Sequence, residues 1–224
     1  MSVAMIWGSP GSGKTVAATA PKKEKICHMC SDNSAVVLNM FERPNVTPVR
    51  VEHWLDPGDK KNYFTKQFED ALASGKYTLI VVDNLTDIKE MALLEIQEQG
   101  VIKDIRQVYN AVYQAIKRLT RMAANAKCHV TFTAWDSMEE YPKNDGTMGV
   151  RFSPNLPPKI LPHVIGLCNV VGQMAKAKDK NGEMRWFIVT EDSESRYGCK
   201  DQLYGRKAVM PEDLFEAPTK EPNI

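Results

Sequence analysis

Residues 8–15 read Gly8-Ser9-Pro10-Gly11-Ser12-Gly13-Lys14-Thr15, a G-x-x-x-x-G-K-[ST] string. No other stretch restricts the fold so tightly, because the string works only with a strand before it and a helix after it. Its glycines let successive backbone N–H groups turn into one concavity, with no Cβ to block the turn or a close approach. That concavity fits phosphate oxygens. Lys14 adds a mobile positive charge for the β- and γ-phosphates, and the Thr15 hydroxyl suits Mg²⁺, which keeps most of its waters and takes few protein ligands. The flanks agree. Val3-Ala4-Met5-Ile6-Trp7 is a short apolar run, as a buried strand should be. Residues 16–20 continue as a helix whose start would face the phosphates, and Pro21 stops it. The pattern predicts a nucleoside triphosphate with Mg²⁺, bound on Gly8, Ser9, Pro10, Gly11, Ser12, Gly13, Lys14 and Thr15.

A chain of 224 residues can bury one sizeable α/β core, and two full domains are not expected. Charge is balanced, 29 Lys and Arg against 28 Asp and Glu, so any nucleic-acid contact must come from a local patch. No apolar run approaches the ~18–20 residues of a membrane helix, so no membrane partner is expected. The first residues lead directly into a strand, which predicts no leader and a cytoplasmic protein. The five cysteines, Cys27, Cys30, Cys128, Cys168 and Cys199, are an odd count that suits reduced thiols. Cys27 and Cys30 enclose His28, but no second ligand pair has zinc spacing, so packed strand cysteines are the expectation.

Further along, residues 24–30 suit a second strand, 31–34 a turn and 35–40 a short helix. Residues 46–53 suit a third strand, and Asp56-Pro57-Gly58-Asp59 a turn. Phe64, Phe68, Ala71 and Leu72 repeat at helical spacing over 62–74, and Gly75 closes that helix. Residues 77–83 are the clearest strand, apolar throughout and hence covered on both faces. It ends in Asp83, placed to hold the Mg²⁺ shell from a strand beside the loop. Ile88, Met91, Ala92 and Ile96 mark a helix over 87–99. A longer one carries Val101, Ile105, Val108, Val112, Ile116, Leu119 and Ala123 on one stripe, with Arg106, Lys117, Arg118 and Arg121 on its other faces. Residues 128–135 form another strand. Ligands sit at the carboxyl ends of parallel strands, so Thr133, Trp135 and Asp136 are all candidates to sense a γ-phosphate.

Residues 136–159 show no period, and so long a stretch without regular structure reads as a functional loop. It interleaves Tyr141 and Phe152 with Lys143, Arg151 and Lys159. That mixture suits single-stranded nucleic acid, in which bases stack and phosphates are neutralised. Residues 160–163 lead into an apolar strand over 165–174. A charged turn with Asn181-Gly182 and a return strand over 184–189 then predict an antiparallel hairpin. Pro211, Pro218 and Pro222 predict a loose tail over 211–224.

The loop at 8–15, Leu79-Ile80-Val81-Val82-Asp83, the strand at 128–135, the run 161–171 and Ser195-Arg196-Tyr197-Gly198 together resemble the RecA-like ATPases. More closely, the chain is similar to small phage-encoded members that act in recombination as single-strand-annealing ATPases. The last string is similar to the K-x-R-F-G element of RadA-type and helicase relatives, in which a Lys and an Arg reach into the neighbouring subunit's ATP. Arg196 matches the Arg. Glu194 stands where the Lys would be, a departure, and Lys200 is the nearest substitute. The resemblance implies a ring or filament, since head-to-tail contacts generate those. It also implies a catalytic carboxylate that orients the attacking water. Asp32 answers by topology, on a strand expected next to the loop strand, and Glu52 by the local string Glu52-His53-Trp54-Leu55-Asp56-Pro57.

The sequence thus predicts an α/β, RecA-like P-loop NTPase core over 1–210. Its central sheet would be mostly parallel, with helices on both faces and a C-terminal antiparallel hairpin. The expected activity is an Mg²⁺-dependent ATPase, stimulated by DNA, which binds single-stranded DNA as a homo-oligomer and promotes annealing or strand exchange. A single-stranded-DNA-binding protein is a further expected partner. The DNA surface would be the 136–159 loop with part of the basic helix face. The alternative is an ATP-dependent loader or switch acting on a replication or recombination protein. A small-molecule kinase is disfavoured, for the sequence has no arginine-rich lid.

Overall fold

The computed structural model describes residues 1–54, 63–98, 100, 104–143, 145–178 and 182–218. In chain order the elements are β1 (Val3–Trp7), α1 (Lys14–Ala18), β2 (Ile26–Cys30), α2 (Ala35–Leu38), β3 (Val46–Arg50) and α3 (Phe64–Ser74). Next come β4 (Leu79–Asp83), α4 (Leu85–Glu98), α5 (Ile105–Ala124), β5 (His129–Ala134), β6 (Asp136–Pro142) and β7 (Met148–Pro154). The chain continues with α6 (Leu161–Leu167), β8 (Val170–Lys178), β9 (Met184–Val189), β10 (Lys200–Asp201), β11 (Ala208–Val209) and a 3-10 turn at Pro211–Asp213.

Among the described residues, nine strands form one sheet in the order β11-β9-β8-β1-β5-β4-β2-β3, with β10 also paired to β8. From β8 to β3 all pairs are parallel, whereas β9, β10 and β11 add antiparallel pairs on the C-terminal side. This is the expected α/β P-loop NTPase fold. Side chains alternate between the faces of a strand, and both faces here are apolar. Val3, Met5 and Trp7 join Cys27, Met29, Ile80, Val82, Val130 and Phe132 in one core, under α3, α4, α5 and α6. Ala4 and Ile6 join Ile26, Leu79, Val81 and Val170 in the other, under α1 and Leu214. Within the larger core, Trp54, Phe64 and Phe68 stack with ring centroids 5.3 and 5.8 Å apart.

The helices follow their apolar stripes. Val108, Val112, Ile116, Leu119 and Ala123 of α5 are buried as the spacing predicts, but Ile105 is exposed in its first turn. Asp104 caps that turn, accepting the Arg106 N–H at 2.9 Å. Gly75 ends α3 in the left-handed region at φ 61°, the expected closing role. Val101, the turn at 56–59, Asn181 and residues 219–224 lie outside the described residues.

Several expectations are corrected. Residues 136–159 are not irregular: β6 and β7 form an antiparallel ribbon from Asp136↔Pro154 to Pro142↔Met148. The strand expected over 165–174 begins at Val170, because Leu161, Val164 and Cys168 fall at helical spacing and Pro162 sits in the first turn of α6. Neither β2 nor β4 lies beside β1, whose neighbours are β5 and β8. The loose tail expected from 211 is packed at its start, for Pro211 and Leu214 are buried. Arg206 also donates to the carbonyls of Asp213, Leu214 and Glu216 at 2.9–3.1 Å. Among the described residues, no helix is long and apolar enough to cross a membrane.

Candidate nucleotide and magnesium site

The loop at 8–15 joins the carboxyl end of β1 to α1. Gly11 and Gly13 hold φ of 75° and 88°, a region that costs a side-chain-bearing residue free energy. The Lys14 ammonium folds back over the loop, donating to the Gly8 carbonyl at 2.8 Å and the Ser9 carbonyl at 2.9 Å. Burial pushes its pKa down, against the opposing charges of Asp83, Asp136 and Asp32. A largely buried cation on a glycine-rich loop fits a polyanion.

Strand parity then assembles a polar cluster. His28 of β2, Asp83 of β4 and Thr133 of β5 leave three neighbouring strands on the face that α1 covers. Asp83 collects their hydrogen bonds. Thr15 Oγ1 donates to Oδ2 at 2.6 Å, His28 Nε2 lies 3.0 Å from Oδ2, Ser34 Oγ donates at 3.1 Å, and Thr133 Oγ1 donates to Oδ1 at 2.5 Å. Burial alone would raise the Asp83 pKa, but the bonds from His28, Thr133 and Thr15 outweigh it and hold the carboxyl below its usual range. Asp83 is therefore an ionised carboxylate in direct contact with the loop threonine. A hydroxyl and a carboxylate at this spacing form the kind of sparse oxygen set that Mg²⁺ takes.

The three γ-phosphate sensor candidates differ in their bonds. Thr133 touches Asp83. Asp136 accepts the Ser9 hydroxyl at 2.8 Å, tying the first residue of β6 to the loop. The Trp135 backbone N–H bonds Thr86 Oγ1 at 3.1 Å. His28 and Ser34 were not singled out from sequence. His28 sits inside an apolar strand between two cysteines, and only the β2–β4 pairing brings it to Asp83.

Asp32 follows β2, accepts the Ser34 N–H at 2.8 Å and acts electrostatically on Lys14. Glu52 is exposed just past β3, the far edge of the sheet. Arg196 lies in the 193–197 turn, where Ser193 and Arg196 exchange backbone hydrogen bonds at 3.1 Å. Its buried Nε has no hydrogen-bond partner among the described residues. Lys200 belongs to β10, paired to Val171, and burial lowers its pKa.

Of the expected DNA contacts, Lys143 and Lys159 are exposed. Arg151 is engaged within the protein, packed between the rings of Tyr141 and Tyr197 at 5.3 and 4.9 Å. Its Nε also donates to Glu139 at 2.8 Å. Phe152 packs against the larger core. The basic face of α5 does not adjoin this hairpin. Lys117, Arg118 and Arg121 line a groove with α3 towards the amino ends of the strands, opposite the loop at 8–15.

The cysteines are all buried. Burial pushes the thiols of Cys27, Cys168 and Cys199 up to about 12. Among the described residues, no group of three or more His, Cys, Asp and Glu side chains could hold a metal.

No curated protein matches the sequence. A prototypical ATPase from the type III secretion system of pathogenic bacteria is similar in structure, at TM-score 0.49 and 12% identity, with 78% of this chain and 51% of that chain covered. The chain thus spans about half the length of that ATPase. The AAA domain family matches residues 2–201, which include the loop, Asp83, the β6–β7 hairpin and Arg196. With a lysine-bearing glycine loop, a buried ionised aspartate beside its threonine and a family match over most of its length, the chain belongs to the AAA domain family of P-loop ATPases.

Proposed function

We propose that this P-loop ATPase is of the RecA-like, single-strand-annealing type, works as a head-to-tail oligomer, and uses its nucleotide state to set its hold on single-stranded DNA. The observation that carries the switch is the Ser9–Asp136 hydrogen bond. It ties the phosphate loop to the first residue of a hairpin whose far side bonds the Arg196 turn.

ATP would supply the phosphoryl group, and Mg²⁺ would supply charge neutralisation. The backbone of residues 8–15 and Lys14 would hold the triphosphate, and Thr15 with Asp83 would hold the cation. To meet the phosphates, Lys14 would give up its bonds to the Gly8 and Ser9 carbonyls. His28, Ser34 and Thr133 keep Asp83 ionised and fixed. Asp32 takes the proton of the attacking water at its carboxylate. Glu52, exposed just past the edge strand β3, is the other carboxylate the resemblance offers for that role.

Arg196 serves the neighbouring subunit, where a guanidinium stabilises charge spread over phosphoryl oxygens. Two exposed apolar patches support that contact. Met138, Met148 and Val150 lie on the hairpin beside the Arg196 turn, while Val36, Val37, Met40 and Phe41 lie on and just after α2, next to Asp32. Seating the first patch of one copy on the second of another would cover both.

Support for DNA comes from the sequence resemblance and from exposed Lys143 and Lys159. Arg151 and Phe152 are withdrawn as direct contacts by their internal partners. Seating a different protein on that hairpin face, in place of a second copy, is the second reading, a switch that grips a partner. The deciding experiment measures ATP turnover with and without single-stranded DNA across a salt series. DNA as ligand predicts stimulation and an affinity that falls steeply with salt. Turnover indifferent to DNA but raised by a replication or recombination protein would overturn it in favour of the second reading.

A further inference from the structure

Helix α5 carries Arg106, Lys117, Arg118 and Arg121 and not one Asp or Glu between Ile105 and Ala124. The chain as a whole is balanced, with 29 Lys and Arg against 28 Asp and Glu. Most of that local charge gathers on one side. Lys117, Arg118 and Arg121, with Lys127 just beyond the helix, face Glu69, Leu72 and Ala73 of α3 across a groove of about 760 Å³. The three α3 residues share a side because positions three and four apart are neighbours on a helix. From Gln114 to Asn125 the groove follows α5 for about 16 Å, roughly three helical turns.

Floor and rim differ in chemistry. Leu72, Met122 and Ala126 pack down onto the larger core yet stay half-open to the groove, and Ala73 is exposed beside them. The rim is cationic. Lys117, Arg121 and Lys127 make no ion pair among the described residues. Arg118 reaches Glu69 at 3.6 Å, but both side chains are exposed, and a surface pair of this kind holds loosely in water. An apolar strip of this length between unpaired cations complements an amphipathic acidic helix. The apolar side of such a helix covers the floor, and its flanking carboxylates meet the rim. Single-stranded nucleic acid fits less well. Among the described residues no aromatic ring lines the groove to stack a base, and phosphates gain nothing from the apolar floor.

We propose that the α3–α5 groove docks an acidic amphipathic helix of a partner protein. The groove lies towards the amino ends of the strands, opposite the loop at 8–15, so partner and nucleotide can be held at once. The proposal is independent of the DNA reading and of the contact between the hairpin and α2, which use the other end of the sheet.

The test follows, by fluorescence anisotropy, a labelled synthetic peptide of about 15 residues with Leu along one helical face and Glu on both flanks, titrated with the full chain. Three probes accompany it: the same peptide with Gln for Glu, the same composition scrambled, and an oligothymidylate of matching charge. The wild type should bind the Leu/Glu peptide saturably and about tenfold or more tightly than any of the three. Lys117→Glu combined with Arg121→Glu should weaken that peptide by about tenfold or more, and should instead bind a counterpart peptide with Lys for Glu, which the wild type does not. Ala73→Glu, at an exposed helix position, should weaken the Leu/Glu peptide by a similar factor, which decides the matter even if the double variant fails to fold. Absence of saturable binding, or affinity unchanged by these substitutions, would overturn the proposal. Equal affinity for the scrambled peptide would overturn it by reducing the groove to its charge. An oligothymidylate that binds as tightly as the peptide and is lost in the double variant would give the groove to nucleic acid. Self-association of the wild type that the double variant abolishes, with no peptide bound, would give it to a second copy.

Discussion

Asp83 accepts four side-chain hydrogen bonds from four separate segments, so each donor supports both the carboxylate and the packing around it. Replacing His28 by Ala strips one donor from a buried anion. The expected cost is about 1–3 kcal/mol of stability, read by denaturant unfolding. Lys14→Ala should lower ATP turnover by about a hundredfold or more, measured as phosphate release, while leaving the unfolding midpoint little changed. At His129 the effect is one of pH. The ring stacks on Phe215 at 4.2 Å, and its Nδ1 accepts the Ser2 N–H at 3.2 Å. Burial lowers its pKa below the ordinary 6.5, opposed by Glu24 and aided by the terminal amine. The unfolded chain then binds the proton more readily. Stability from this site is full above pH 6.5 and is lost as pH falls towards the folded value. His129→Phe should flatten that part of a stability-against-pH curve.

At the scale of elements, the β6–β7 ribbon and the 193–197 turn form one unit. Phe152 donates to the Ser195 carbonyl and accepts from the Tyr197 N–H, both at 2.9 Å, and the Tyr141 hydroxyl reaches the Glu194 carbonyl at 3.2 Å. Arg151→Ala removes the cation between two rings and should loosen both segments. Amide exchange should rise together over 136–154 and 193–197, whereas exchange confined to the ribbon would argue against a single unit. Sequence alone gave no sign of this ribbon from its hydrophobic pattern, because it leaves the main sheet and buries only part of one face. The signal that could have found it is Asp145-Gly146, a hairpin dipeptide between two extended runs. Gly146 indeed takes φ 81° there. The parallel strands were readable for the opposite reason: burial on two faces leaves an unbroken apolar run. Their order was not, since adjacency depends on crossovers that local composition does not encode. For the same reason Lys14, Thr15 and Asp83 could be named beforehand, whereas His28 could not.

For the whole molecule, two predictions separate stability from assembly. Phe68→Ala removes the end of the Trp54–Phe64–Phe68 stack and should cost about 3–5 kcal/mol in unfolding experiments. Arg196→Ala should spare the fold and depress turnover. Mixing it with Lys14→Ala should restore part of the activity, because a site built from two chains can pair an intact loop with an intact guanidinium. Activity of the mixture no higher than the sum of its parts would confine the defect to single chains.

The sealed cysteines have a practical corollary. With all five thiols buried, and three of them ionising only near pH 12, alkylating reagents at neutral pH have almost nothing native to attack. A single cysteine introduced at exposed Met138 or Met40 would therefore carry a dye or cross-linker alone. The wild-type background needs no thiol removed before self-association is tested.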